Sequence, residues 1–137
     1  MGDGSINHIG IATRSLDEAE AVWSSFGFVP SRDDLILEQG VRIRYLVGSG
    51  GTKIELLEPL NEDSPVGKFI TNNGEGVQQV AVDVDDIELS INHLKSLGFR
   101  LINDRPLVGS EGHRIAFVHP STCGGVLIEL VERKQSE

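Results

Sequence analysis

Residues His8–Ala12 read His-Ile-Gly-Ile-Ala, and Gln79–Asp83 repeat their pattern as Gln-Val-Ala-Val-Asp. The offset of 71 positions (79 − 8) holds for two more pairs of segments: Ser15-Leu16 with Asp86-Ile87, and Phe26-Gly27-Phe28 with Leu97-Gly98-Phe99. A repeat that needs no gap over this length is typical of a chain built from two copies of one supersecondary unit. We therefore expect two related modules.

Each copy begins with a predicted strand and continues into a predicted helix. Apolar residues recur at helical spacing after both first strands, and Ser15 and Asp85 are placed to cap the two helices. Gly27 and Gly98 follow at the positions where a left-handed residue commonly ends a helix. The pattern predicts two main helices.

The later strands of each copy also match. Ile54–Glu58 correspond to Ile128–Glu132 at an offset of 74 (128 − 54), so the second copy carries a three-residue insertion. Strand-like runs precede them at Arg42–Val47 and Arg114–Val118. The predicted order in each copy is therefore strand, helix, strand, strand, strand. Residues 59–76 are polar and rich in turn-forming residues, which favours a linker between the copies.

Length and composition agree with this organisation. A chain of 137 residues, 39% of them hydrophobic, corresponds to one folded domain. We predict a single α+β domain over residues 1–137, made of two βαβββ modules at about 6–60 and 77–132. Each module alone is too small for a good core, so their sheets are expected to form one curved cup.

Charge and cysteine content exclude several classes of function. The formal net charge of −9 disfavours binding to nucleic acid or to anionic membranes. The single cysteine, Cys123, excludes an internal disulfide and a cysteine-rich zinc site. The sequence contains no secretory signal and no apolar run of membrane-spanning length, so the expected location is the cytoplasm.

Strand alternation places four polar side chains on the face away from the helices. His8 and Gln79 alternate with apolar residues in the first strand of each copy, and Glu55 and Glu129 do so in the last. One imidazole, one amide oxygen and two carboxylates form a set of donors suited to a divalent metal. Because a metal also relieves the repulsion between two enclosed carboxylates, these residues are candidate ligands.

The chain resembles the vicinal-oxygen-chelate superfamily, which includes glyoxalase I, bleomycin-resistance proteins and extradiol dioxygenases. Within the superfamily it looks most like the methylmalonyl-CoA epimerase family. The resemblance covers nearly all of residues 7–132 and is carried by several blocks: Asn7–Ala12, Glu38–Val41, Ile54–Leu60, Ser64–Ile70, Gly74–Val77, Ile115–Pro120 and Gly124–Leu130.

This resemblance implies an isomerase that epimerises methylmalonyl-CoA or a similar 2-substituted acyl-CoA through a metal-stabilised enolate. The family's metal ligands correspond to His8, Glu55, Gln79 and Glu129, and its two acid–base carboxylates to Glu38 and Glu129. Cobalt, nickel, manganese or zinc would suit these donors. The resemblance further implies a paired-module cup and a homodimer. One departure is Gln79, because epimerases of this type usually carry histidine at that position.

Two alternatives remain open. Gln79 gives weight to a glyoxalase I-like isomerase, because some members of that group use one histidine, one glutamine and two glutamates. A metal-free binding protein of the same fold is the other alternative, although Glu55 and Glu129 argue against it. An extradiol dioxygenase is disfavoured, because its iron prefers two histidines and one carboxylate.

Candidate contacts for coenzyme A phosphates are Arg42, Arg44, Lys53, Lys68, Arg105 and Arg114.

Overall fold

The computed structural model describes residues 3–134, and it contains eight strands and three α-helices within that range. The strands are β1 (Ile6–Ala12), β2 (Val29–Ile36), β3 (Val41–Val47), β4 (Lys53–Pro59), β5 (Gly76–Val84), β6 (Leu107–Val108), β7 (Arg114–Val118) and β8 (Leu127–Glu132). The helices are α1 (Leu16–Ser24), α2 (Pro65–Asn73) and α3 (Ile87–Ser96). The α+β class and the repeated βαβββ order are confirmed. None of the helices described is long and apolar enough to span a membrane.

The chain divides into two compact units, which we call the N-terminal and C-terminal modules. The N-terminal module is His8–Gln78, and the C-terminal module comprises residues 79–134 with residues 3–7. The strand order is β2-β3-β4-β1 in the first and β5-β8-β7-β6 in the second. In both, the first and last strands run parallel and the other neighbours antiparallel, as in two copies of one unit. That the two modules form one domain stays a prediction.

The helices begin and end where local sequence signals place them, with one correction. The Ser15 side chain accepts a hydrogen bond from the backbone N–H of Glu18 and caps α1. The cap of α3 is Asp86, not Asp85 as predicted, and it accepts from the backbone N–H of Leu89. Asp86 is the residue that the 71-position offset pairs with Ser15, so the repeat was the better guide.

An apolar cluster joins the first helix of each module to its sheet. In the N-terminal module, Leu16 of α1 packs with Ile11, Ile54 and Leu56. In the C-terminal module, the cluster comprises Val84, Ile87, Ile91, Ala116, Val118 and Leu130. These contacts occupy the face that alternation predicted to be apolar, and the polar candidates lie on the other face.

The predicted polar linker at residues 59–76 was wrong in its centre, because it contains α2. Ser64 caps this helix by accepting from the backbone N–H of Gly67, and Pro65 occupies its first turn. Val66 and Ile70 of α2 are buried in a cluster with Ala12, Val41, Ile43, Tyr45 and Leu57. Within residues 3–134, three helices are therefore present where two main helices were expected, and α2 packs on the sheet face opposite to α1.

A repeated carboxylate holds the first turn of α1 and of α3. Glu58 Oε2 accepts from the N–H of Leu16 at 3.0 Å, and Glu132 Oε2 accepts from the N–H of Ile87 at 3.0 Å. An arginine from the facing strand pairs with each, Arg42 at 3.6 Å and Arg114 at 2.9 Å. The two glutamates are repeat-related, so each module fixes its helix by the same contact.

The Glu132 contact should contribute to stability in a pH-dependent way. Hydrogen bonding from Arg114 holds the pKa of Glu132 below its usual value. Glu132→Gln should lower the free energy of unfolding by about 1–3 kcal/mol at pH 7. A carboxyl group whose pKa is lower in the folded state than in the unfolded state stabilises the fold at pH values above its unfolded-state pKa. The difference in free energy of unfolding between the two proteins should therefore vanish as the pH falls from about 4.3 through the pKa of Glu132 in the folded state. Urea unfolding of both proteins between pH 3 and 7 measures this.

The matched control is Glu62→Gln, since Glu62 is an exposed loop residue. That variant should unfold like the parent protein at every pH. Equal stabilities of Glu132→Gln and parent at pH 7, or a difference that grows on acidification, would contradict the role assigned to Glu132.

Candidate functional site

In the N-terminal module, the candidate ligands His8 and Glu55 lie next to each other. Their side chains project from β1 and β4, and His8 Nδ1 lies 3.2 Å from Glu55 Oε2. Both residues are buried, with exposures of 3% and 6%. The register pairs Gly10 of β1 with Glu55, and glycine leaves room beside the carboxylate. Alternation thus correctly placed both side chains on one face of the sheet.

The C-terminal module holds the other two candidates in an equivalent pair. Gln79 Nε2 donates a hydrogen bond to Glu129 Oε1 at 2.8 Å. These residues are also buried, with exposures of 7% and 5%. The register pairs Ala81 of β5 with Glu129, so a small residue again lies beside the carboxylate.

The donor types fit a divalent ion. Burying a carboxylate is unfavourable unless a hydrogen-bond donor or a cation compensates it, and both glutamates have a nitrogen-bearing partner. An imidazole, an amide and two carboxylates together offer the nitrogen and oxygen donors that divalent transition metals accept. Among the residues described, no group of three or more His, Cys, Asp or Glu forms a metal site; the structure shows two pairs.

The fifth candidate, Glu38, has a different environment. It lies on a 3-10 turn, Leu37–Gln39, between β2 and β3, and Gly40 ends the turn in a left-handed conformation (φ 63°). The Glu38 side chain is exposed and makes no hydrogen bond or ion pair with any residue in the described range. Glu38 therefore carries a solvated carboxylate on a short turn, whereas the carboxylate of Glu129 is buried.

An aromatic residue that was not among the sequence-based candidates lies opposite each buried carboxylate. The register pairs Tyr45 of β3 with Glu55, and it pairs Phe117 of β7 with Glu129. The alternation of Val41, Ile43 and Tyr45 along β3 contained the signal for the first of these. Each carboxylate therefore has a small residue on one neighbouring strand and an aromatic residue on the other.

Several of the basic residues considered for coenzyme A binding form ion pairs with acidic side chains. Arg44 makes two hydrogen bonds to Asp33 and further ones to Asp17 and Glu20, and this pairing lowers the pKa of Asp33. Arg114 is bound in the same way by Glu88 and Glu132. Within residues 3–134, no ion pair forms at three other candidates: Lys53, Lys68 and Arg105.

Comparison with known proteins assigns the family. The family model of the glyoxalase/bleomycin resistance protein/dioxygenase superfamily matches residues 7–117. The mitochondrial methylmalonyl-CoA epimerase of Bos taurus is 36% identical over 129 residues, covering 93% of this chain and 73% of that protein.

Two solved structures are similar over almost the whole chain. The methylmalonyl-CoA epimerase of Mycobacterium tuberculosis superimposes with a TM-score of 0.89 at 35% identity, covering 98% of this chain and 94% of that one. A variant of the Streptomyces coelicolor epimerase in complex with 2-nitronate-propionyl-CoA gives 0.87 at 39% identity, covering 96% and 98%. With its paired βαβββ modules, this chain belongs to the glyoxalase/bleomycin resistance protein/dioxygenase superfamily and, within it, to the family of methylmalonyl-CoA epimerases.

Proposed function

We propose that this protein is an isomerase that epimerises methylmalonyl-CoA by moving a proton at the carbon between the thioester and the carboxylate. The observation that carries the proposal is the pair of buried carboxylates at repeat-related positions, Glu55 beside His8 and Glu129 beside Gln79. The relatives of known activity supply the substrate: the Bos taurus protein and the two solved structures are methylmalonyl-CoA epimerases.

We further propose that His8, Glu55, Gln79 and Glu129 together bind one divalent ion, which would be cobalt, nickel, manganese or zinc. The support is the chemistry of the donors, their burial in pairs and their matching positions in the repeat. When bound, such an ion supplies Lewis-acid stabilisation of the negative charge that develops on the oxygens of the substrate. Glutamine at position 79 offers a neutral oxygen, so two carboxylates balance the charge of the ion.

Proton transfer is assigned to Glu38 and Glu129. Epimerisation removes a proton from one face of the α-carbon and returns one to the opposite face, so two bases are needed. Glu38 is solvated and able to exchange its proton with water. Glu129 is buried and accepts a hydrogen bond from Gln79, which orients its carboxylate. In this assignment Glu129 serves both as a ligand and as a base.

The remaining parts of the proposal concern the assembly and its location. We propose one domain formed by both modules, a homodimer, and a cytoplasmic protein. The free thiol of Cys123 is consistent with a reducing compartment. Sedimentation equilibrium tests the dimer directly.

Gln79 favours a second candidate, a glyoxalase I-like isomerase that acts on the hemithioacetal of glutathione. This reaction would use the same donors and a similar proton transfer. Measurable turnover of methylglyoxal with glutathione, in the absence of methylmalonyl-CoA epimerisation, would select this alternative.

Exchange of the α-proton tests the proposed reaction. Protein loaded with each of the four metals is incubated in heavy water with (2R)- or (2S)-methylmalonyl-CoA and followed by NMR. The expected result is uptake of deuterium at the α-carbon together with interconversion of the epimers. Absence of exchange with all four metals would refute the epimerase function.

Glu38→Gln separates a catalytic role from a metal-binding role. The variant should lose epimerisation by a factor of about 10² or more, because general acid–base catalysis is worth 10²–10⁴-fold. Its metal content, measured by inductively coupled plasma mass spectrometry, should equal that of the parent. Loss of the metal would make Glu38 a ligand, and retained turnover would remove it from the mechanism.

The role of Gln79 is tested against its neighbour. Gln79→Leu should lower the bound metal at least tenfold, since it removes an oxygen donor, whereas Gln79→His should retain the metal. Gln78→Leu is the matched control, because the adjacent side chain in β5 points to the other face. Equal metal content in Gln79→Leu and Gln78→Leu would show that Gln79 is not a ligand.

A further inference from the structure

Three side chains of the N-terminal module contact one another in a polar cluster on β2 and β3. Arg32 lies over the ring of Tyr45, with the guanidinium carbon 4.4 Å from the ring centre. Arg32 Nη1 is 3.1 Å from Asp34 Oδ2, and the Tyr45 hydroxyl donates to the same oxygen at 3.2 Å. We call these three residues the Arg32 cluster. Each of the three side chains contacts the other two, so the guanidinium has a defined position.

The Arg32 cluster lies on the same face of the sheet as Glu55. The register pairs Arg32 with Tyr45 and Tyr45 with Glu55, which places all three on one line across β2, β3 and β4. Neighbouring strands are about 4.8 Å apart, so the Arg32 backbone lies about 10 Å from that of Glu55. The two other strand arginines of this module, Arg42 and Arg44, alternate to the α1 face.

The Tyr45 hydroxyl of this cluster has no counterpart in the C-terminal module. The C-terminal module has Phe117 where the N-terminal module has Tyr45, and Phe117 faces Glu129 without a hydroxyl group. Tyr45 is buried in an otherwise apolar cluster, so its ring would pack equally well without the oxygen. The hydroxyl donates to Asp34, and the same carboxylate oxygen binds the guanidinium of Arg32.

We propose that Arg32 binds an anionic group of the acyl-CoA substrate and that Tyr45 and Asp34 are its positioning residues. This inference rests on the proposed function, because it takes an acyl-CoA as the ligand. The Arg32 side chain is 44% exposed and thus reachable by a ligand. A protein of net charge −9 needs a local cation for a polyanionic substrate, and arginine suits carboxylate and phosphate oxygens. Both kinds of oxygen occur in an acyl-CoA that carries a carboxylate.

The proposal is tested by titration calorimetry on the metal-loaded protein, with methylmalonyl-CoA and with methylmalonyl-pantetheine, which lacks the nucleotide phosphates. Arg32→Ala should raise the dissociation constant of methylmalonyl-CoA at least tenfold, as expected for a lost charge-assisted hydrogen bond. An equal loss with the pantetheine thioester assigns the contact to the acyl carboxylate. A loss confined to the coenzyme A ester assigns it to a phosphate. A loss below twofold with both ligands overturns the proposal.

Two further variants separate binding from structural effects. Arg14→Ala removes an exposed arginine from a loop of the same module and should leave both dissociation constants within twofold. Tyr45→Phe reproduces the C-terminal arrangement and should weaken binding less than Arg32→Ala, with an unchanged melting temperature. If Arg14→Ala weakened ligand binding as much as Arg32→Ala, the loss of affinity would be explained by the change in net charge, and the proposal would be overturned.

Arg32→Ala also uncovers the carboxylate of Asp34, which by itself would repel an anion. The double variant Arg32→Ala/Asp34→Asn removes this repulsion, and affinity should stay low. Restored affinity would show that Arg32 merely masks Asp34. Epimerisation by the parent protein is measured in parallel: binding without turnover contradicts the proposed function and leaves the Arg32 contact intact.

Discussion

A carboxylate buried in a β-sheet needs both space and a compensating partner, and this protein meets that requirement twice. Glu55 and Glu129 are each flanked by a small residue on the parallel strand, Gly10 or Ala81. Each also has a nitrogen donor within hydrogen-bond reach, supplied by His8 or Gln79. The register of the parallel pairs fixes these neighbours. A shift by one residue would turn both carboxylates to the opposite face of the sheet, away from His8 and Gln79.

The repeat made most of the fold predictable. The ungapped offset placed the first strand and helix of each module, and alternation sorted the ligand candidates from the apolar residues. Helix α2 was missed because only a few apolar residues, among them Val66 and Ile70, face the sheet within a polar segment. Its start was nonetheless signalled by Ser64 followed by Pro65. The aromatic residue opposite each glutamate depends on strand register, which the sequence does not specify directly.

The two modules have diverged around a shared plan. Both modules have a glutamate that holds the first turn of a helix, Glu58 or Glu132. Both also have a buried glutamate beside a nitrogen-bearing side chain. The N-terminal module adds α2 and the Arg32 cluster to its Glu55 face, whereas the C-terminal module has Phe117 facing Glu129. In the proposed mechanism, duplicated elements supply the stable frame and the metal donors, and the elements that differ would supply contacts to one particular substrate. The same division explains why repeat-based reasoning identified the ligand candidates and passed over Tyr45.

The proposed mechanism depends on four side chains from repeat-related strand positions binding a single divalent ion. X-ray absorption at the cobalt edge, on protein titrated with Co²⁺, tests it most directly. If the four side chains share one ion, cobalt should saturate at one ion per chain, with a first shell of nitrogen and oxygen donors and the scattering pattern of one imidazole, that of His8. Saturation at two ions per chain, or a spectrum of hydrated cobalt without imidazole, would contradict it.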